Sequence, residues 1–352
     1  MTELPKMLVV VGAPDAMAAT TAQERLRNLD LPGNSGLVSA IIRTLRERST
    51  PHVVVIVWPG GATDGENLRE KTGVEVLLNG ICEPLIQRGA LQQVARLAQE
   101  TGLPTLNPPR VIEATARPLM ARRVGRAGDV SAPHCTLYEA GSGTLVEHVH
   151  AEGHEYPVLL RPAGSHGSSG LVRAADDTDV AAAARVAGTC TVTDFVDFRS
   201  EDGLWRKYRM VYAGGRLLRR HLLIDQQWNV VGQSRYFMHE RDLFGEEREW
   251  LSRPVAPEAQ PLEARVLEQF EAMELDFGMI DYAVLPDGEL VIFEINACVQ
   301  VTGTIPDQYR EGLAYVEANN DEIIDAVLER VRTRAAAGPP GGGATKGLSP
   351  PG

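Results

Sequence analysis

Two acids and an amide lie close together on one predicted hairpin, in the stretch DYAVLPDGELVIFEIN, residues 281 to 296. An Asp-Gly pair between two alternating apolar runs is typical of a two-residue hairpin turn, because that turn needs a positive φ at both central residues. Centring the turn on Asp287 and Gly288 places Asp281 directly opposite Glu294. Asn296 falls on the same face, since side chains alternate along a strand with a period of two. We therefore expect the three side chains to converge.

Apolar residues on both faces of this hairpin predict that both faces are covered. The same register pairs Ala283 with Ile292 and Leu285 with Leu290. Two carboxylates facing each other in such surroundings destabilise the fold unless something compensates their charge. Mg²⁺ would do so, because it takes oxygen ligands and commonly uses one or two carboxylates together with substrate phosphates. The pattern favours a magnesium site over the alternative, an edge hairpin whose acids are simply solvated.

A second predicted hairpin, WRKYRMVYAGGRLLRRHLL, collects basic side chains. A turn centred on its Gly-Gly pair places Arg209 opposite Arg220 and leaves Lys207 on the same face. The same register places Tyr208 opposite His221. Like charges across a ladder need an opposite charge, and the planar fork of arginine is suited to phosphate. An anion site is predicted here, with a solvated basic face as the alternative.

A glycine-rich loop follows a predicted strand in PVLLRPAGSHGSSG, residues 157 to 170. Glycines let the backbone approach a ligand closely and adopt unusual φ, so that consecutive N–H groups can cradle phosphate oxygens. The loop is not a Walker A motif, because no GK[ST] follows. A flexible surface loop is the alternative. The candidate phosphate-binding residues are Gly164, Ser165, His166, Gly167 and Ser168.

The composition is that of an ordinary globular protein, with 43% hydrophobic residues among 352. A net charge of −12 argues against a general nucleic-acid binder, which needs a basic surface. The four cysteines are scattered and form no CxxC pair, so we expect reduced thiols and a cytoplasmic protein. No stretch approaches the roughly 20 apolar residues of a membrane span.

The first part of the chain has the pattern of an α/β domain. Two apolar runs, residues 7–14 and 52–61, flank a segment with helical spacing, which predicts a parallel sheet covered by helices. The sequence VGAPDAMA lacks the GxGxxG of a dinucleotide-binding domain, which argues against a dehydrogenase.

Four segments are predicted along the chain. Residues 1–108 form the α/β domain, and 109–194 and 195–334 form two α+β regions with antiparallel sheets. Residues 335–352 are rich in Gly and Pro and are expected to be a disordered tail.

Three histidines stand close together in EHVHAEGHE, residues 147 to 155. A zinc site needs three or four ligands in fixed geometry, and no further zinc signal accompanies them in the sequence. We therefore interpret His148, His150 and His154 as members of a loop.

Taken in order, these segments resemble the ATP-grasp superfamily of ATP-dependent carboxylate ligases. In that superfamily an acid on one strand is followed, across a hairpin, by Glu-x-Asn on the next strand, and these residues hold Mg²⁺. Asp281, Glu294 and Asn296 match this motif in type, order and spacing. The glycine-rich loop resembles the loop that covers the nucleotide phosphates in the central domain.

The resemblance also implies a nucleotide site. The segment TVTDFVDF resembles the interdomain hinge, where backbone groups around Asp194, Phe195 and Val196 would meet adenine. Arg117 and Arg161 stand where many members hold the phosphates with two lysines. Arginine keeps the positive charge and can contact phosphate, although it is bulkier than lysine and not interchangeable with it.

One position departs further from the pattern. In the D-alanine–D-alanine ligase type, an arginine two residues before the metal-binding acid steadies the transferred phosphoryl group, and Met279 stands there in this chain. We expect this role to fall to Arg209, Arg220 or His221 of the basic hairpin.

The resemblance covers about residues 107–332 and looks closest to a branch sometimes fused to TPR repeats. It implies an α/β N-terminal domain followed by an α+β ATP-grasp fold, whose two antiparallel-sheet subdomains sandwich ATP. The loop at residues 297–309 and the first domain are expected to shape the acceptor pocket.

The implied reaction uses ATP and Mg²⁺. A small-molecule or peptide carboxylate would be activated as an acyl phosphate and joined to an amine. A small-molecule kinase, a thioester-forming enzyme and a nucleotide-binding module without catalysis are the alternatives on the same fold. Neither nucleic acid nor membrane is an expected partner, and a homodimer stays open.

Overall fold

The structure is a computed structural model that describes residues 3–17, 32–61, 64–124, 129–165, 167–184, 188–301 and 313–338. None of the helices within these ranges combines the length and the hydrophobicity that a membrane span requires.

The first region is a parallel sheet flanked by helices. Its four strands follow the order β2-β1-β3-β4, and every neighbouring pair is parallel, as predicted from the continuous apolar runs. Its elements are β1 (Met7–Gly12), α1 (Gly36–Glu47), β2 (His52–Val57), α2 (Gly65–Thr72), β3 (Val76–Asn79), α3 (Arg88–Thr101) and β4 (Thr105–Leu106).

The second region is built around an antiparallel sheet with the strand order β6-β9-β7-β8. Its elements are α4 (Pro109–Ala114), α5 (Arg117–Arg123), β5 (Val130–Ser131), β6 (Cys135–Tyr138), α6 (Leu145–Ala151), β7 (Val158–Pro162), β8 (Val172–Ala174), α7 (Asp177–Ala184) and β9 (Cys190–Asp194).

The histidine-rich segment of this region is helical at its start, so the predicted loop is wrong there. Thr144 accepts a hydrogen bond from the Glu147 N–H, and the Glu147 carboxylate accepts one from the Thr144 N–H. This reciprocal capping starts α6, which carries His148 and His150, while His154 follows its end.

The third region holds a five-stranded sheet with the order β11-β10-β12-β13-β5, in which only the β13–β5 pair is parallel. Its last helix continues to Ala336, beyond the predicted start of the tail at residue 335, and residues 339–352 lie outside the described part. Its elements are β10 (Trp205–Ala213), β11 (Arg216–Asp225), α8 (Ser234–Glu240), α9 (Phe244–Ser252), α10 (Pro261–Met273), β12 (Phe277–Val284), β13 (Leu290–Asn296), α11 (Ala314–Glu317) and α12 (Asn320–Ala336).

The turn between β12 and β13 has three residues instead of the predicted two. The Gly288 N–H donates to the Leu285 oxygen, the Leu285 N–H donates to the Glu289 oxygen, and Gly288 has a φ of +88°. Pro286 and Asp287 therefore occupy the centre of the turn, and the glycine supplies the left-handed residue that follows a turn of this kind.

The extra turn residue shifts the register of the hairpin by one position near the turn. Ala283 pairs with Val291, not with the predicted Ile292. Likewise, Leu290 pairs with Val284 and not with the predicted Leu285. A bulge next to Asp281 restores the original register, so the predicted pairing of Asp281 with Glu294 is confirmed.

A bulge also changes the predicted register of the basic hairpin. Pairing begins at Ala213 and Arg216 as expected, but the register shifts between Arg209 and Met210. His221 therefore lies opposite Arg209, and Arg220 becomes the extra residue, so the predicted pair of Arg209 with Arg220 is wrong. The predicted pair of Tyr208 with His221 is wrong for the same reason.

Two of the four cysteines form a disulfide, which corrects the prediction of four reduced thiols. Cys82 follows β3 in the first region and Cys298 follows β13 in the third, with their Cα atoms 5.1 Å apart. Cys135 and Cys190 are free and buried. The bonded cysteines are 216 positions apart, which explains why spacing along the chain gave no sign of this pairing.

Loss of this disulfide is expected to destabilise the protein. Replacing Cys82 and Cys298 by serine together should lower the free energy of unfolding by about 2–4 kcal/mol, since the cross-link restricts the unfolded chain. Urea unfolding measures the change, with Cys190→Ser, a change at a buried free thiol, as the comparison. Thiol titration of the denatured, unreduced wild type should count two thiols. Four thiols would contradict the assignment.

Candidate active site

Two joined cavities lie where the three regions meet. The larger has a volume of about 560 Å³ and the smaller about 130 Å³. The residues that line both of them are Arg117, Arg161, Ser168, Lys207, Asp281 and Glu294. Three of these six side chains are cationic, two are anionic and one is a neutral hydroxyl, so the junction between the cavities carries an excess of positive charge.

The acidic hairpin contributes the two carboxylates of the junction. Asp281 is only 5% exposed and lies beside Glu294 across the β12–β13 ladder. Asn296 is buried next to them, and its Nδ2 donates to Glu294 Oε1 over 2.7 Å. Its Oδ1 accepts from the Cys298 N–H at 2.9 Å. The predicted trio therefore comes together, with the two acids facing the cavities and the amide behind Glu294.

Three basic side chains from two elements neutralise these acids. Arg209 of β10 donates two hydrogen bonds to Asp281, from Nε to Oδ1 at 2.6 Å and from Nη2 to Oδ2 at 2.7 Å. Arg117, the first residue of α5, donates from Nη2 to Glu294 Oε1 at 2.5 Å. Lys207 Nζ lies 3.9 Å from Asp281 Oδ2. The cations lie on β10 and α5 and the acids on β12 and β13, so the fold itself fixes the positions of these charged groups.

Burial and crowding shift the ionisation of these groups. Burial raises the pKa of Asp281, but the positive charge of Arg209 outweighs it, so that the pKa lies below its usual value and the carboxylate is ionised. Burial and repulsion by Arg117 lower the pKa of Arg161 to about 10. Burial also lowers the pKa of Lys207, against the attraction of Asp281. An anion bound at the junction would stabilise the charged forms of Arg161 and Lys207.

The donor set at this junction fits Mg²⁺ delivered with a polyanion. Two carboxylates and an amide are the oxygen donors that Mg²⁺ accepts, and the remaining positions are usually taken by water and phosphate. In the described part of the chain, no three His, Cys, Asp or Glu side chains are grouped so that they could hold a metal ion. The site therefore suits an ion that arrives with its own phosphate ligands.

The smaller cavity is an apolar slot. Phe195 and Val196, which follow β9, line it together with Trp228 and Phe293. The rings of Phe195 and Trp228 meet edge to face at 5.8 Å. Asp194, the last residue of β9, also lines the slot, so all three predicted hinge residues are at this cavity. The slot suits a planar ring system whose charged end projects into the larger cavity.

One part of the glycine-rich loop lines the larger cavity, and another part packs against the first region. Gly167 and Ser168 line the larger cavity, and Ser168 Oγ donates to Asn229 Oδ1 at 2.7 Å, which ties the loop to the third region. A Cβ on Gly164 would lie 2.7 Å from the Ile86 side chain, so Gly164 packs against the first region. Ser165, like Gly164, is not among the residues that line either cavity. His166 lies outside the described residues.

Known structures resemble this one over nearly its whole length, although no protein-family profile and no curated protein sequence matches the chain. A D-alanine–D-alanine ligase from Bacillus anthracis has a TM-score of 0.54 and 11% identity, with 95% of this chain and 100% of that chain covered. The structure of that ligase complexed with ATP also gives a TM-score of 0.54, at 11% identity and with 96% and 100% covered. For D-alanyl-alanine synthetase A from Vibrio cholerae the TM-score is 0.57 at 12% identity, with 96% and 100% covered. The chain has the ATP-grasp fold.

The predicted fold class, an α/β N-terminal domain followed by an ATP-grasp fold, is thereby confirmed. Sequence identities of 11–12% carry the fold and not an activity, so the reaction has to be argued from the site. The apolar slot and the charged junction lie between the sheet of the second region and the sheet of the third.

The basic hairpin supplies one of its three predicted residues directly to the acids. Arg209 contacts Asp281, whereas Arg220 points elsewhere, with Nη1 donating to the Val316 oxygen at 2.6 Å. His221 lines the larger cavity and is 6% exposed. Burial, and repulsion by Arg209 among other cations, lower its pKa well below the usual value, so the imidazole is neutral.

Several cavity residues gave no signal in the sequence. Arg235 is fully buried and paired with Glu247, with Nη1 to Oε2 at 2.7 Å and Nη2 to Oε1 at 2.9 Å. The two lie on different short helices, so no periodic pattern connects them. The polar lining residues that sequence reasoning missed are Asn34, Gln233, Arg235, Tyr236 and Gln300. Of the predicted acceptor loop, residues 302–309 lie outside the described part.

Proposed function

We propose that this protein is an ATP- and Mg²⁺-dependent ligase that joins a carboxylate to an amine. The observation that carries the proposal is the position of Asp281 and Glu294, side by side at the junction of an apolar slot and a cationic cavity. An adenine ring in the slot would meet Asp194, Phe195 and Val196, and its triphosphate would then extend over the two acids.

The cations at the junction would hold the triphosphate. Arg117 and Arg161 take the place of the lysines that many ATP-grasp members use, and Lys207 adds a third charge from β10. Gly167 and Ser168 line the same cavity, where their backbone N–H groups could add hydrogen bonds to the phosphates. Each guanidinium can form paired bonds to phosphate oxygens, which fixes the geometry as well as the charge.

Asp281 and Glu294, with Asn296 beside them, would hold Mg²⁺, and the ion would supply positive charge to the triphosphate. The Arg209 guanidinium, which contacts Asp281 in the free protein, would lie close to the phosphoryl group and could stabilise its charge during transfer. The uncharged Met279 cannot perform this role. Phosphoryl transfer depends on such positioning and charge neutralisation more than on covalent help from the protein.

The reaction would proceed in two steps. A substrate carboxylate oxygen attacks the γ-phosphorus, the bond to the ADP oxygen breaks, and an acyl phosphate forms. The amine nitrogen then attacks the acyl carbon, inorganic phosphate leaves with the bonding electrons, and the nitrogen loses a proton to give the amide. Closure of the second region over the cavities would keep water from hydrolysing the intermediate.

The decisive assay pairs candidate acids and amines and measures release of ADP and phosphate with Mg-ATP. We expect equal amounts of ADP, phosphate and a condensed product by mass spectrometry. A stable phosphorylated product would identify a kinase, and a thioester would identify a thiol acceptor. Failure of the wild type to bind Mg-ATP in calorimetry would contradict the proposal.

Arg161 offers a test of the phosphate site. Arg161→Gln should raise the KM for ATP roughly 10- to 100-fold, the factor expected for a lost charge-assisted hydrogen bond. Its melting temperature should stay the same or rise, because the charged guanidinium is disfavoured by burial and by Arg117 in the free protein. Arg123→Gln, at an exposed position on α5, is the matched control. An unchanged KM in Arg161→Gln would exclude this residue from the phosphate site.

A further inference from the structure

We propose that His154 is a positioning residue for the nucleotide slot, acting through the carboxylate of Asp194; this rests on the proposed function. His154 Nδ1 lies 2.6 Å from Asp194 Oδ1, and the His154 side chain has no exposed surface. The Asp194 side chain is 28% exposed and lines the slot. One end of this bond is therefore in the protein interior and the other is at the cavity.

A chain of hydrogen bonds continues behind His154. Its Nε2 lies 2.7 Å from Thr136 Oγ1, a buried hydroxyl of β6. The same hydroxyl lies 2.9 Å from His148 Nε2 on α6. The ring of His134 packs against that of His154 with centroids 4.5 Å apart. Contacts on both sides thus fix the plane of the His154 ring.

The hydrogen at the slot end of this chain follows from the chemistry of its acceptor. A carboxylate only accepts, so His154 Nδ1 carries a hydrogen and donates it to Asp194. The Thr136 hydroxyl can donate and accept at the same time, so it can satisfy the facing nitrogens of both His154 and His148. The donation from His154 Nδ1 to Asp194 is the same for either direction of the Thr136 hydroxyl hydrogen.

Backbone hydrogen bonds also fix the chain at the start of the slot. The Asp194 N–H donates to the His134 oxygen at 2.9 Å, and the Phe195 N–H donates to the Pro157 oxygen at 3.1 Å. In the described part of the chain, His154 is the one side chain that hydrogen-bonds the Asp194 carboxylate. Without this hydrogen bond the Asp194 carboxylate would be free to change rotamer at the point where the adenine ring would enter the slot.

A metal site does not explain these histidines. No three His, Cys, Asp or Glu side chains in the described residues are arranged to hold an ion. Thr136 lies between His148 and His154 and bonds both of them. The cluster is therefore a relay of hydrogen bonds that ends at the slot.

The test is calorimetry of a non-hydrolysable Mg-ATP analogue on His154→Leu, Asp194→Ala and the double variant. We expect each single change to weaken binding about 10-fold, the size expected for one hydrogen bond to a charged group. The double variant should be weakened no more than about 20-fold, because both changes break the same contact. His154→Asn, whose Nδ2 can reach the Asp194 carboxylate, should recover part of the loss. His150→Gln is the control, since His150 lies on α6 and bonds the exposed Asp177 of α7.

Three results would overturn the inference. Binding by His154→Leu at the wild-type affinity would show that the bond does not position the slot. A double variant weakened about 100-fold would show that the two residues act independently. Failure of the wild type itself to bind the analogue would remove the proposed function and this inference together, and so differs from the first two results.

Discussion

Glu294→Gln is expected to reduce ATP turnover at least 1000-fold while the protein stays folded, a loss of the size that transition-state charge stabilisation can account for. The amide keeps the shape of the side chain but removes one of the two negative charges that would hold Mg²⁺. It also leaves Arg117 without its carboxylate partner. ADP release measures the loss, and thermal unfolding verifies the fold.

Two further variants sharpen this result. Glu289→Gln, at the turn of the same hairpin, should retain wild-type turnover because Glu289 is not among the residues that line the cavities. Glu294→Asp keeps the charge on a shorter side chain and should lose less than Glu294→Gln. Turnover of Glu294→Gln within 10-fold of wild type would remove Glu294 from the reaction.

Arg209→Met is expected to lower kcat by roughly 100- to 1000-fold, the range observed for removal of one donor that stabilises transition-state charge. The KM for ATP should change little, because in the free protein the Arg209 guanidinium is engaged with Asp281. Lysine at this position keeps the charge but loses the two-pronged geometry, so Arg209→Lys should recover only part of the activity.

The control for this prediction is Arg216→Met, which removes an exposed arginine of the neighbouring strand that pairs with Glu322. It should leave kcat unchanged. An equal loss in both variants would point to a general effect of charge. A raised KM with normal kcat in Arg209→Met would place Arg209 in nucleotide binding and would leave the role of the missing arginine at position 279 to another group.

The sequence predicted the acidic hairpin well because its information is local. An alternating apolar pattern and one turn signal placed Asp281 opposite Glu294, and this pairing holds because the longer turn and the bulge compensate each other. The predicted pairing of individual residues was wrong where one extra residue in a turn or a bulge sets the strand register. A three-residue turn and a compensating bulge moved Ala283 off its predicted partner, and a bulge removed Arg220 from the cation cluster. The alternation of apolar and polar residues along a strand does not show where a β-bulge inserts an extra residue.

Other features could not be predicted because they depend on contacts between distant segments. The Cys82–Cys298 disulfide joins residues 216 positions apart. The buried pair of Arg235 and Glu247 forms between two short helices, and the partners of His154 come from separate strands. Such contacts are set by how the regions pack on one another, and neither composition nor periodicity records that packing.

The most direct test of the central claim is calorimetric titration of the wild type with ATP, in Mg²⁺ and in excess EDTA. The two carboxylates should repel bare phosphates and attract them once Mg²⁺ is shared, so we predict binding at least 10-fold tighter with the metal. Equal affinity in the two conditions would contradict the assignment of Asp281 and Glu294 as the metal-binding acids.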